Sequence, residues 1–267
     1  MIAEPTLDDR RPRPGWVRGV CAALVLTVLY VGAVEPLGLL PAVIAPHRDH
    51  LLRGALASAG MGVVAALAMV VGFEVLLANR RRDLRPFGIA RPRRMWSTLG
   101  IGVAAFFPVL IVGFAISTAL GLNGTTTPDV HKQSSGTKLA VSFLVIVVAP
   151  WLEEVTIRGL LYSSLAGRFG FLAGAAVSGL AWAALHLVAA VLIPFTMLGM
   201  LLAFLRRRSG SVIPGMVMHG AQNTFASLIG AGVGWYVTPM PFLLVASIAG
   251  VWLWLPRNPR RAEPRTA

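Results

Sequence analysis

The chain has 267 residues, of which 56% are hydrophobic and only 13% are charged, and its mean hydropathy is +0.72. Soluble domains carry about 25% charged residues, so the composition excludes an ordinary water-soluble enzyme and a disordered chain. Basic residues outnumber acidic ones by 24 to 11, yet they lie in clusters between apolar runs, which is typical of membrane-protein loops and not of a nucleic-acid-binding surface.

Eight apolar runs predict an all-α fold, a polytopic membrane helix bundle with about eight transmembrane helices, since a spanning helix needs about 20 residues. They form one transmembrane domain, 17–255, between cytoplasmic tails at 1–16 and 256–267. The predicted spans are 17–34, 54–78, 96–121, 139–166, 171–188, 191–205, 212–230 and 239–255.

Two prolines and one polar stretch refine these boundaries. The apolar block 171–205 is too long for one spanning helix, and we expect it to break near Pro194. The run 139–166 contains Pro150, for which we expect a kink or a re-entrant segment. The polar stretch Asn123–Lys138 is predicted to be an outer loop.

The distribution of basic residues predicts the orientation in the membrane. With eight spans, 19 of the 24 Lys and Arg residues fall on the side that holds both termini, 4 fall on the opposite side, and Arg158 falls inside a span. Loops rich in Lys and Arg stay in the cytoplasm, so both termini are predicted to be cytoplasmic. The abundance of Arg, Ala and Gly favours a bacterial chain and therefore a bacterial cell membrane.

Three charged residues lie deep in the fourth predicted span: Glu153, Glu154 and Arg158. Each central charge costs about 2.5 to 3.5 kcal/mol on insertion scales, so the cluster must face other helices or a water-filled cavity. Glu154 and Arg158 are four residues apart on one helix face and can form an ion pair. Glu153 is rotated about 100° from Glu154 and has no such partner, which makes it the better candidate for a free base. A purely structural network of the three charges is the alternative.

Two of the five histidines, His186 and His219, also lie inside predicted spans. His186 follows Trp182 by four residues, and His219 precedes Asn223 by four, so each pair shares a helix face. A single membrane histidine often serves only as a helix–helix hydrogen-bonding residue. Together with the carboxylates, however, the set offers a water-activating base, imidazoles and an amide donor for a developing oxyanion.

These residues carry a resemblance to a known family. The sequence resembles the CPBP intramembrane protease family, which includes CAAX-processing endopeptidases and bacteriocin-processing or abortive-infection-type proteins. The resemblance covers about 139–230, the predicted catalytic core, and departs from the family pattern at Trp182 (usually Phe) and Thr156 (usually hydrophobic). Three motifs occur in the family order: Glu153-Glu154-x-x-x-Arg158 followed by Gly159, Trp182-x-x-x-His186, and His219-x-x-x-Asn223.

The resemblance implies an intramembrane endopeptidase that hydrolyses a peptide bond of a peptide or protein substrate at the lipid bilayer. By position, Glu153 would activate a water together with His219, and Asn223 would help to hold the oxyanion. His186 would complete the site, and Glu154 with Arg158 would brace it.

The metal content of such a site stays open at this point. The chain lacks the HExxH motif of many zinc proteases. A carboxylate and two imidazoles are nevertheless competent zinc ligands, so Glu153, His186 and His219 are the candidate ligands for a divalent metal. The alternative is a glutamate-activated water without a metal.

Two other classes of function stay open. A non-catalytic membrane partner, such as an immunity-type peptide-binding protein, would use the same fold but would not need all six polar groups. A transporter with an intramembrane carboxylate relay would also place charges in its spans. We find no inverted or parallel repeat between the two halves of the chain to support a transporter.

Overall fold

The computed structural model describes residues 16–27, 84–124, 135–231 and 234–255. In these ranges the regular structure is helical, without any strand. Four helices are long and apolar enough to cross a membrane: Met95–Ala119, Lys138–Phe169, Ala189–Ser209 and Trp235–Trp254. The all-α membrane fold is thereby confirmed. The count of eight spans stays a prediction, because 54–78 and nearly all of both predicted tails lie outside the described residues.

Seven described helices are labelled here in chain order. The third, α3, covers 135–169 in five consecutive segments: Ser135–Phe143, Leu144–Val148, Ala149–Glu153, Glu154–Tyr162 and Ser163–Phe169. It therefore begins inside the stretch Asn123–Lys138, which we had expected to be a loop throughout. The others are α1 (Trp16–Thr27), α2 (Met95–Ala119), α4 (Phe171–Ala184), α5 (Ala189–Ser209), α6 (Ile213–Ala226) and α7 (Met240–Trp254).

Helix α3 continues through Pro150, where the sequence predicts a kink or a re-entrant segment. The segment Leu144–Val148 just before the proline is a π-helix, in which the Ala149 N–H donates to the Leu144 carbonyl, five residues back. A proline inside a helix lacks an N–H and crowds the preceding turn, and a π-turn is one of the known ways to accommodate such an interruption. A second π-helical segment, Glu154–Tyr162, follows and carries Glu154 and Arg158.

The block 171–205 forms two helices, in agreement with the predicted spans 171–188 and 191–205, but the break does not lie at Pro194. Pro194 lies inside α5, and the chain breaks earlier, between the end of α4 and Ala189. Leu187 has a φ of 54° and Val188 is extended, so the backbone turns there without a glycine or a proline. Pro194 instead packs against α2 at Gly113, where a Cβ atom would lie 2.5 Å from the Pro194 Cα.

The segments predicted to be cytoplasmic meet at one end of the bundle. The Arg93 N–H donates to the carbonyl of Ser209 at 2.7 Å, which joins the start of α2 to the end of α5. The Arg91 guanidinium donates to the Trp252 and Leu255 carbonyls, both at 3.0 Å, and so caps the last turn of α7. The start of α2 and the ends of α5 and α7 therefore lie on the same side of the bundle, as the distribution of basic residues predicts.

Helices α4 and α5 pack closely against each other beside Arg158 of α3. A Cβ atom on Gly199 of α5 would lie 2.7 Å from the Gly179 Cα of α4, so the two backbones touch at glycines on both helices. Small residues of this kind allow membrane helices to approach closely. The same Gly199 faces the Arg158 guanidinium, at 3.2 Å from its would-be Cβ. The core of the bundle therefore has α3, α4 and α5 packed around a buried charge.

Candidate functional site

The charged pair of α3 is fully buried. The side chains of Glu154 and Arg158 are both 0% exposed, and Arg158 Nη1 lies 2.9 Å from Glu154 Oε1. The N–H does not point at the oxygen, so the contact is an ion pair without hydrogen-bond geometry. The guanidinium also lies over the Trp182 ring, 4.4 Å from its centroid, in a cation–π contact. The predicted ion pair thus forms across one turn of the π-helical segment.

Glu153 has a different environment from Glu154. Its side chain remains 19% exposed, whereas that of Glu154 is completely enclosed. As the spacing predicts, Glu153 has no ion-pair partner along its own helix. Across the interface with α4, the Trp182 indole N–H donates a hydrogen bond to Glu153 Oε2. Glu153 is therefore the accessible carboxylate, with one of its oxygens held by a neutral donor.

His219 of α6 lies between the two carboxylates. Its Nδ1 is 3.3 Å from Glu154 Oε1, and its Nε2 is 3.8 Å from Glu153 Oε2. An ionised carboxylate can only accept, so the hydrogen bond to Glu154 assigns the proton of a neutral ring to Nδ1. The nitrogen facing Glu153 is then Nε2 with its lone pair. A distance of 3.8 Å is too long for a direct hydrogen bond and is suited to a bridging water.

His186 lies just beyond the end of α4. Its Nδ1 is 3.0 Å from the Trp182 carbonyl, which can only accept, so the ring of a neutral His186 also carries its proton on Nδ1. The imidazole meets Trp182 edge-on at 5.3 Å and Phe195 at 4.8 Å between ring centroids. These contacts fix the ring and leave Nε2 as its available nitrogen. His186 thus joins the site through Trp182 and makes no hydrogen bond to Glu153 or Glu154.

Asn223 is one helical turn beyond His219 and contacts α3. Its Nδ2 donates to the Val145 carbonyl at 2.7 Å. Val145 lacks its usual helical donors, because the Ala149 N–H reaches Leu144 instead and the next residue, Pro150, has no N–H. The Asn223 side chain therefore satisfies a carbonyl that the π-turn leaves open. An amide nitrogen has two protons, so one remains for another acceptor.

Gly215 at the start of α6 leaves room for the Glu154 carboxylate. A Cβ atom on this residue would lie 2.5 Å from Glu154 Oε2. The backbone of α6 consequently runs directly against the buried carboxylate, one turn before His219. A side chain at this position fits only if the Glu154 carboxylate shifts.

The arrangement does not favour the predicted metal site. Among the described residues, no group of three or more His, Cys, Asp or Glu side chains is placed to hold a metal ion. Glu153, His186 and His219 do not form such a group in the described structure, so a divalent metal at this site stays a prediction.

Sequence reasoning missed two contributors to this site. Trp182 was assigned only to the aromatic position of a motif, although a tryptophan buried in a membrane helix needs an acceptor for its N–H. Val145 carries no chemical signal of its own. The nearby Pro150 could have revealed it, since a proline within a helix always leaves a carbonyl to be satisfied elsewhere.

The fold and these groups define a polytopic helical membrane protein with a carboxylate–imidazole–amide site between its helices. Residues 135–225 match the family model described as Type II CAAX prenyl endopeptidase Rce1-like. This match confirms the resemblance to the CPBP family and supports the class of intramembrane endopeptidases. It spans 91 of the 267 residues, about a third of the chain, and includes all six predicted site residues. No curated protein and no solved structure matches the chain.

Proposed function

We propose that this chain hydrolyses a peptide bond at the membrane by means of a water activated between Glu153 and His219. The single observation that supports this most directly is the 3.8 Å separation of Glu153 Oε2 and His219 Nε2. Both atoms are acceptors when the carboxylate is ionised and the imidazole is neutral, so a water that bridges them donates a proton to each. Such a water is positioned and polarised for attack.

The reaction follows from these roles. The water oxygen attacks the scissile carbonyl carbon while one of its protons passes to Glu153. The carbonyl oxygen becomes an oxyanion, for which the second N–H of Asn223 is a suitable donor. The same proton then passes from Glu153 to the leaving amine nitrogen as the carbon–nitrogen bond breaks. A carboxylic acid and an amine are released, and the enzyme returns to its initial state.

The other polar groups have supporting roles in this scheme. The ion pair of Glu154 and Arg158 holds Nδ1 of His219 and so keeps Nε2 directed at Glu153. His186 supplies a further imidazole, whose orientation is fixed by the Trp182 carbonyl. We place both termini in the cytoplasm of a bacterial cell, because of the bias in basic residues, and take the substrate to be a membrane-associated peptide or protein.

The test is a comparison of cleavage products from membranes that contain the wild-type chain or Glu153→Gln. The variant keeps the shape of the side chain but removes the base, so cleavage should fall about 10²- to 10⁴-fold at unchanged yield of folded protein. Glu74→Gln, which alters a carboxylate outside the matched region, is the control and should cleave normally. N-terminal peptidomics identifies the products. Farnesylated and unmodified CAAX peptides test whether cleavage requires a prenyl group on the substrate.

Full cleavage by Glu153→Gln at normal yield would disprove the proposed mechanism. If the wild-type chain releases no peptide that depends on Glu153, a non-catalytic peptide-binding role replaces the protease assignment.

A further inference from the structure

Trp182 contacts more of the candidate site than any role assigned to it so far explains. It is completely buried, and its indole N–H donates to Glu153. One ring face lies against the Arg158 guanidinium, and its ring stacks on Phe195 at 5.4 Å with an interplanar angle of 16°. The His219 ring meets its edge at 5.2 Å. The backbone carbonyl of the same residue orients His186.

The hydrogen bond to Glu153 is specific to tryptophan. A phenylalanine would keep the stacking and the aromatic contacts, but it has no donor. Each carboxylate oxygen has about two acceptor directions, so the indole N–H can occupy one direction of Oε2 and leave the other for a water. The donor also selects one orientation of a carboxylate that is partly exposed.

The cation above the ring strengthens this donor. Arg158 lies over the indole face, and a positive charge there polarises the ring and its N–H bond. Hydrogen bonds to an ionised partner are roughly twice as strong as those between neutral groups. Arg158 thus contacts the ring that donates to Glu153, and Glu154 contacts His219, whose other nitrogen faces Glu153.

We propose that Trp182 is a positioning residue that holds the Glu153 carboxylate, through its indole N–H, in the orientation from which it activates water. Its catalytic consequence rests on the proposed function, whereas the hydrogen bond itself does not. Two measurements on the full-length protein in detergent keep these parts separate.

The first measurement detects the hydrogen bond without reference to activity. In protein labelled with ¹⁵N at the tryptophan indoles, the Trp182 signal is assigned by its loss in Trp182→Phe. Its proton should resonate downfield and move upfield in Glu153→Ala. Trp151, whose indole N–H donates to the Ser247 hydroxyl at 2.8 Å, is the internal control and should not move. A Trp182 signal that is unaffected by Glu153→Ala would overturn the proposal.

The second measurement detects the catalytic consequence on a peptide that the wild-type chain cleaves. Trp182→Phe should lower kcat about 10- to 100-fold with KM changed less than about twofold, as expected for loss of a hydrogen bond to a charged group. Trp151→Phe removes an indole donor from the same region and should leave both constants within about twofold of wild type. A normal kcat in folded Trp182→Phe would overturn the positioning role.

The proposed function and the positioning role of Trp182 can fail independently of each other. If the indole signal responds to Glu153→Ala but no peptide is cleaved by the wild-type chain, the proposed function fails and the Trp182–Glu153 bond stands. If cleavage depends on Glu153 and Trp182→Phe is fully active, the proposed function stands and the positioning role fails.

Discussion

Replacing Arg158 with methionine should strongly destabilise the protein. The variant keeps most of the side-chain length but leaves Glu154 as an uncompensated charge in a site with no exposure to water. Breaking a buried pair from one side costs about 3 to 5 kcal/mol, far above the roughly 0.2 to 1 kcal/mol of an exposed pair. Since about 1.4 kcal/mol changes an equilibrium constant tenfold, the folded-to-unfolded ratio should fall by about 10² to 10⁴.

The matched control removes both charges. In Glu154→Gln with Arg158→Met, neither member of the buried pair carries a charge, so most of the lost stability should return. A deficit of about 1 to 2 kcal/mol should persist, because the double variant also lacks the cation above the Trp182 ring. The difference between the single and double variants isolates the cost of the unpaired carboxylate.

The assay is unfolding by SDS titration of the purified protein in dodecyl maltoside, followed by far-UV circular dichroism. High salt should leave the difference between wild type and Arg158→Met unchanged, since a pair that water does not reach is hardly screened. The reasoning is refuted if the single variant loses less than about 1 kcal/mol, or if the double variant is no more stable than the single one.

Three further predictions follow from other contacts. Gly215→Ala should lower kcat at least about tenfold, because its Cβ would lie 2.5 Å from Glu154 Oε2 and displace that carboxylate; normal kinetics would contradict this steric limit. Asn223→Ala should lower the free energy of unfolding by about 1 to 3 kcal/mol, since the Val145 carbonyl loses its donor; unchanged SDS titration would contradict that role. In a background without the native cysteine, Ser134→Cys should react with an impermeant maleimide from outside the cell; labelling only from the cytoplasm would contradict the eight-span topology.

Local geometry explains what could be predicted from the sequence. The ion pair of Glu154 and Arg158 depends only on a spacing of four residues within one helix, so it was predictable. The spans themselves follow from hydropathy, and Met95–Ala119 and Met240–Trp254 agree with the predicted 96–121 and 239–255 within two residues at each end.

The contacts that were missed all depend on tertiary packing. The bond from Trp182 to Glu153 joins two helices, and no spacing within either helix encodes it. The break at Leu187 lies close to the predicted boundary between 171–188 and 191–205, but it contains no glycine or proline, so turn residues did not mark its position. Pro194 suggested a break, but in the structure it lies inside a continuous helix and packs against Gly113 of α2.

The buried charges of α3 have a consequence for how the protein is made. Ribosomes release α3 before α4 and α6, so Glu154 and Arg158 emerge before Trp182 and His219 exist to enclose them. At about 2.5 to 3.5 kcal/mol for each charge, α3 by itself gains little from leaving the translocon for lipid. Its stable insertion therefore depends on helices that are synthesised later. A nascent chain truncated after α3 should remain crosslinked to the translocon, whereas one extended past α6 should be released as a packed unit.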